Sequence, residues 1–375
     1  MKLKLSKVIR VLFSIHIVII FLSEFSLLPK LIYILKYITP GIIILLSFFV
    51  NKNSNENKFI AFWYLIYFLS VLISLLNIKS NFISLLHTVT YLQLFYLTLF
   101  VFPKIISHTK KEFKNYRNIY FVMMLFSVLF SVFIRKDFMN DWHVRPRYHF
   151  LFQNPNTLAF YALIGIFLSV ITFEKKSLIK QLLMVTFFVF MIVLSDSRTS
   201  LYTFIFTMLS LNIISRIKKR HTLFNILIIF ILITLISLPI LINHVDINKL
   251  NLILTGRIDR VLLATSEFRT IDYVFGTSPG TRITDPHNYI VNTIIENGIV
   301  GLIIVLSLIF SSAIKLIIRF DNTSKTYLVI IVSFLIYNFA ESTLVSMGNF
   351  NSIFFWILVG LSFNAKFNNS KEYYE

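Results

Sequence analysis

The sequence predicts an all-α, polytopic membrane protein, and three observations carry that expectation. Of its 375 residues 57% are apolar, 16% aromatic and only 14% charged, too little polar surface for a soluble domain of this size. Apolar runs of about 17–20 residues, enough to cross a hydrocarbon layer of roughly 30 Å, recur along the whole chain. Lys and Arg fall in bunches between those runs, as membrane topology requires. Lipid offers the backbone no hydrogen-bond partners, so the runs must be helices.

About twelve spans are expected in a single transmembrane domain covering 1–375, near residues 8–23, 31–50, 59–76, 82–102, 118–134, 157–173, 178–195, 199–215, 222–242, 294–315, 326–345 and 350–364. The first follows Lys2, Lys4 and Lys7 and resembles a signal peptide. It lacks a small-residue cleavage site and many spans follow it, so it is read as retained. With the amino terminus inside, the cytoplasmic segments carry Arg10, Lys104, Lys110, Lys111, Lys114, Arg117, Lys175, Lys176, Lys180, Arg216, Lys218, Lys219 and Arg220 besides the three leading lysines. This arrangement puts 23 of the 36 basic residues inside, and an even number of spans then brings both termini into the cytoplasm. Abundant Lys, Asn, Ile and Phe suit an AT-rich bacterial genome, hence a bacterial cytoplasmic (inner) membrane.

The net charge of +19 follows from this topological bias and from attraction to anionic membrane lipid, and gives no reason to expect nucleic acid as a partner. There is no Cys, which excludes a disulfide framework and thiolate chemistry.

Basic residues on the two sides differ in kind. Inside there are 5 Arg against 18 Lys, whereas outside 8 Arg (Arg135, Arg145, Arg147, Arg198, Arg257, Arg260, Arg269 and Arg282) stand against 5 Lys. Topology needs only positive charge, for which Lys serves, whereas the planar guanidinium fork suits phosphate or carboxylate. The outer face is therefore expected to hold an anion. Ordinary loop ion pairs to Asp137, Asp141, Asp246, Asp259, Glu267, Asp272 and Asp285 are the alternative for each Arg. Glu24, His87, Asp196, Glu296 and Glu341 also gather at outer helix ends, which implies a polar cavity open to the outside. His16 lies mid-span and reads as a satisfied packing residue.

Two outside loops are long, 135–156 and 243–293, and long loops in compact folds are usually functional. The first carries Arg145-Pro146-Arg147 and then Asn154-Pro155-Asn156, a turn ahead of the sixth span. In the second, Ile258, Val261, Leu262, Thr265 and Phe268 recur at helical spacing, which predicts an amphipathic helix on the outer leaflet with Arg257 and Arg260 on one face. Phe275 to Gly280 then breaks the helix and returns the chain to His287 and Asn288. A histidine at such a loop-helix junction is a titratable group at the membrane surface, or else a polar cap. Gly298 and Gly301, which follow it, are candidates for close helix approach.

The run His287-Asn288, nine residues, Gly298, two residues, Gly301 resembles the signature of the O-antigen ligase and Wzy-type polysaccharide polymerase-like membrane proteins. Asn154-Pro155-Asn156, Ser197-Arg198, Gly256-Arg257 and the Arg269, ten residues, Gly280 spacing agree with it in order, over roughly the carboxyl-terminal two thirds. That resemblance implies a GT-C-like, metal-independent glycosyltransferase that uses neither cofactor nor nucleotide sugar. Its donor is a polyprenyl-diphosphate-linked oligosaccharide at the outer face. His287 is then expected as general base toward an acceptor sugar hydroxyl. Arg198 and Arg257, with Arg260, are expected at the diphosphate, and Arg269, Asn288 and Glu296 in the rest of the substrate site. Either Glu296 or Glu341 is placed to orient His287, and the sequence does not choose between them.

Within the resemblance a repeat-unit polymerase for O-antigen, capsule or exopolysaccharide is expected, with an O-antigen ligase acting on lipid A-core as the alternative. Flippase and chain-length regulator proteins are the expected partners. From other classes, a lipid-linked oligosaccharide flippase or a non-catalytic scaffold would also have many spans. The absence of an internal repeat and the one large asymmetric loop argue against a transporter.

Overall fold

A computed structural model describes residues 2–25, 30–50, 58–76, 82–105, 109–135, 139–140, 147–174, 177–225, 257–266, 268–280, 288–345 and 349–364. The helices are α1 (Lys2–Ser23), α2 (Lys30–Phe48), α3 (Lys58–Leu75), α4 (Phe82–Tyr96), α5 (Phe102–Ile105), α6 (Thr109–Phe130), α7 (Pro155–Ile171), α8 (Leu178–Ser195), α9 (Arg198–Arg216), α10 (Arg257–Thr265), α11 (Thr270–Phe275), α12 (Tyr289–Arg319), α13 (Asn322–Asn338) and α14 (Phe350–Ser362). A π-helical turn, Leu97–Val101, joins α4 to α5, and another, Ser131–Arg135, ends α6. Among the described residues the regular elements are helical apart from two antiparallel strands of two residues each, β1 (Met139–Asn140) and β2 (Arg147–Tyr148).

Among the described residues 6 helices are long and apolar enough to cross a membrane, and three shorter apolar helices accompany them. Their outward faces carry large apolar side chains, with Phe49, Phe133 and Ile179 73%, 74% and 76% exposed, as lipid contact requires. The expected span 222–242 lies largely outside the described residues.

Contacts group the chain into two compact units, the first made of 1–57, 90–207 and 346–375, the second of 58–89 and 208–345. In the first, α1 packs on α2, α6 and α14, α6 packs on α7, and α7 on α8. Every residue of α14 is buried, which is why that short helix has no polar face. Phe21 sits edge-on to Tyr120, Tyr161 and Phe152 at 4.9, 4.8 and 5.7 Å between ring centroids, and Phe95 meets Trp356 at 4.5 Å. His16 is fully buried and tilted against Phe13, and among the described residues neither ring nitrogen has a hydrogen-bond partner.

Where expected and observed ends differ, tertiary contacts explain the difference. The span expected at 118–134 begins at Thr109, because the charged first turns are held in place. Glu112 accepts from Arg10 at 3.3 Å, Lys114 pairs with Glu174 at 3.2 Å, and Arg117 Nη1 donates to Thr172 Oγ1 at 2.9 Å.

The turn expected at 154–156 is a helix start. Asn154 Oδ1 accepts from Thr157 N at 2.8 Å, and Pro155 fills the first helical position, where no N–H is needed. Arg147 clips this start to the end of α8, donating to Asn156 Oδ1 at 2.7 Å and to the Ser195 carbonyl at 2.9 Å. Asn154→Ala should cost about 1 kcal/mol in detergent unfolding, whereas Asn154→Gly should cost a few tenths. Equal losses in the two variants would mean that the cap contributes nothing.

Candidate functional site

The candidate site in the second unit is built around α12. The helix expected from 294 begins at Tyr289, so it starts directly after His287-Asn288. Asn288 is the reason: its extended backbone and Oδ1 accept from Ile290 N at 2.9 Å and Val291 N at 3.2 Å, and its amide donates to the Phe339 carbonyl at 3.1 Å. Tyr289 packs on the Phe339 ring at 5.7 Å, so the start of α12 is clipped to the end of α13. The N–H groups that would otherwise draw an anion are already occupied by this cap.

A regular helix of 31 residues would be about 46 Å long, well beyond one span, and α12 is not regular. It breaks at Gly298, whose φ of 67° and ψ of −176° lie outside anything a helix contains. The end of α11 fills the break so closely that a Cβ at residue 298 would run into the Val274 carbonyl. A Cβ at Gly301 would strike Asn297 of the preceding turn, because the break displaces that turn. Both glycines of the Gly-x2-Gly pair thus serve the break.

The carbonyl of Ile295, which loses its helical partner at the break, accepts instead from Thr277 N at 2.8 Å and Thr277 Oγ1 at 3.0 Å. Glu296 and Asn297 are both 1% exposed beside it. Asn297 Oδ1 has no hydrogen-bond partner among the described residues, and the Glu296 carboxylate acts electrostatically on Tyr67 of α3.

Arg269 and Asp272 seat α11 in that break. The Asp272 carboxylate, fully buried, accepts from Arg269 N at 3.0 Å, Nε at 3.3 Å and Nη2 at 3.1 Å, tying the start of α11 to the residue before it. Hydrogen bonding to Asp272, and then its charge, raise the Arg269 guanidinium above its ordinary pKa. Arg269 therefore has the loop ion pair that the sequence left open as its alternative.

Arg257 opens α10, whose Arg260, Leu262 and Leu263 are exposed, and α10 packs on α12. It falls within the segment 257–268 that the spacing of Ile258, Val261, Leu262, Thr265 and Phe268 predicts to be helical. Glu296 lies eight residues down α12 from Asn288, about 12 Å along the axis. Glu341 follows the Phe339 clip and lies in the turn after α13.

His287 and Arg282 lie outside the described residues, as does Gly256. Arg198 opens α9 in the first unit and is exposed, behind Asp196, which ends α8 in the left-handed conformation at φ 49°. Ser197 Oγ donates to Ser200 Oγ at 3.1 Å rather than capping a backbone amide. The second unit thus brings Asn288, Glu296 and the Arg269–Asp272 pair onto α12 and α11.

Sequence reasoning missed Thr277, which no motif spacing singles out. His87 of α4, expected only as one of the polar groups at outer helix ends, packs its ring over Gly280, with Cγ 3.0 Å and Nε2 3.2 Å from where a Cβ would stand. Among the described residues no group of three or more His, Cys, Asp and Glu is placed to hold a metal ion. An open groove of about 800 Å³ runs along Phe121, Leu178, Leu183 and Met184, and none of the candidate residues lines it. Compared with models of protein families and with curated protein sequences, the chain has no match.

Proposed function

We propose that this chain is a polysaccharide polymerase of the bacterial cytoplasmic membrane, a GT-C-like protein of about twelve spans with both termini in the cytoplasm. It transfers a growing glycan from polyprenyl diphosphate to a sugar hydroxyl of another lipid-linked repeat unit at the outer face. The observation that carries this reading is the folding of the His287 to Gly301 run into one device: a capped helix start directly after the histidine, then a break filled by α11. Irregular helix at membrane depth survives only where other protein or a polar cavity satisfies it, and such breaks accompany substrate sites.

In the reaction, His287 accepts the proton of the acceptor hydroxyl as that oxygen attacks the anomeric carbon. The glycosyl–phosphate bond breaks, and polyprenyl diphosphate leaves with the bonding electrons. Arg198, Arg257 and Arg260 balance its charge. The filled cap of α12 supports giving this task to arginine side chains rather than to helix amides. Asn288 contributes by capping and clipping the helix that follows the base, and Glu341 by orienting it.

His287→Ala and Arg257→Ala should each reach the membrane in normal amount and lower polymer formation by about a hundredfold or more. Single repeat units should accumulate on lipid carrier at the outer face. Normal chain length in the His287→Ala strain would remove the general-base role, and accumulation at the inner face would point to a flippase instead.

A further inference from the structure

A second polar cluster lies in the first unit and includes none of the residues assigned above to glycosyl transfer. Glu24 follows the last turn of α1, half-buried, and its carboxylate makes no hydrogen bond or ion pair among the described residues. The charge of Lys36 of α2, itself 4% exposed, acts on it. The same carboxylate acts electrostatically on Tyr120 of α6 and Tyr161 of α7, whose rings stack at 5.9 Å and are fully buried. Among the described residues neither phenol has a well-formed hydrogen bond, although Tyr161 Oη approaches the Phe350 backbone at the start of α14. The next residue, Asn351, is 1% exposed, and both ends of its amide lack a partner among the described residues.

Five helices that pack on one another, α1, α2, α6, α7 and α14, thus each contribute a polar group to one end of an otherwise aromatic core. Buried hydroxyls and amides without protein partners are costly unless ordered water completes them. A carboxyl group at such a place usually has a task.

We propose that Glu24 is the binding residue of a hydrated proton site enclosed by Lys36, Tyr120, Tyr161 and Asn351. The carboxylate takes a proton from hydronium, releasing water, and the O–H so formed donates into water shared with the two phenols and the amide. Burial pushes the Glu24 carboxyl above its ordinary 4.5, and Lys36 opposes that rise. The titratable groups coupled electrostatically to Glu24 are Lys36 from α2, Tyr120 from α6 and Tyr161 from α7, and the neutral Asn351 follows Phe350, whose ring packs on Tyr120. His149 stands in the adjoining turn, its Nδ1 2.9 Å from the Phe152 carbonyl, and Phe152 bridges to Phe25.

The sign of the pH effect follows. A carboxyl whose folded value is raised adds stability that is complete below 4.5 and is lost as pH rises through the folded value. The site is independent of the glycosyl-transfer reading, and the test needs no substrate. Infrared difference spectra of the full chain in lipid nanodiscs, taken through the acid range in water and heavy water, should show a protonated-carboxyl band. This band should persist above the range of exposed carboxyls and vanish in Glu24→Gln. Tyr161→Phe should change the frequency of the band, and Glu24→Gln should flatten the acid limb of thermal stability.

If Glu24→Gln cannot be purified, Lys36→Met decides: without the opposing cation the band should persist to a pH about one unit higher or more. An unchanged band in Glu24→Gln, or no movement in Lys36→Met, would overturn the proposal. Replacement of the band by added sodium would do so as well, since it would make the ligand a metal cation.

Discussion

Gly298→Ala should destabilise the protein by about 2 to 4 kcal/mol, the sum of a left-handed backbone forced on a residue with a Cβ and of a clash in a filled space. Two facts make the site unforgiving. The φ of 67° is set by the break itself, and the new methyl group would land on the Val274 carbonyl, which is backbone and cannot swing aside. Relief would require α11 to withdraw, exposing the Ile295 carbonyl that Thr277 now satisfies. Denaturant unfolding in detergent should therefore show a large loss for Gly298→Ala and less than about 0.5 kcal/mol for Ile299→Ala next to it, which is 46% exposed. Polymer formation should fall with stability. A Gly298→Ala protein as stable as its parent would mean that the helix runs on without a break.

Asp272→Ala should cost about 2 to 3 kcal/mol, through a lost cap and a buried network opened. The carboxylate is fully buried and takes three donors from Arg269, including its backbone N–H, so its removal frees the first turn of α11. Asp272→Asn keeps one acceptor oxygen and should lose less. Arg269→Gln distinguishes the two roles open to that arginine. As the partner of Asp272 its removal lowers stability and activity together, whereas as a diphosphate ligand it would lower activity at unchanged stability. The geometry predicts the first outcome, and unfolding measurements beside polymer yield decide it.

Local chemistry made several features legible. Asn154-Pro155 and Asn288 reveal helix starts because short polar side chains reach their own backbone amides, a contact that needs no distant partner. The limits of α8, 178–195, coincide with those read from its apolar run, because a polar Asp196 ends that run. Less legible was the start of α6, where Lys110, Lys111, Glu112 and Lys114 look like a loop. Their helical state depends on Arg10 and Glu174, far away in the chain.

At the candidate site the same division holds. Sequence spacing singled out Gly298 and Gly301, but their purpose is visible only once α11 and Asn297 stand against them. Thr277 and Ile295 meet across 18 residues with no periodicity to announce it. Arg269 could be read as an anion ligand or an ion-pair partner until Asp272 was seen buried beneath it.

By itself the sequence determined that this is an all-α protein with helices apolar enough for a membrane, and where many of those helices run. Those properties follow from apolar length, charge and capping, each confined to a few neighbouring residues. Only the tertiary structure decided that α12 breaks at Gly298, that Asp272 claims Arg269, and that Glu24 shares a core with Tyr120, Tyr161 and Asn351. Those outcomes depend on which distant backbone and side-chain groups are brought within hydrogen-bonding and van der Waals reach, and a linear pattern does not encode that proximity.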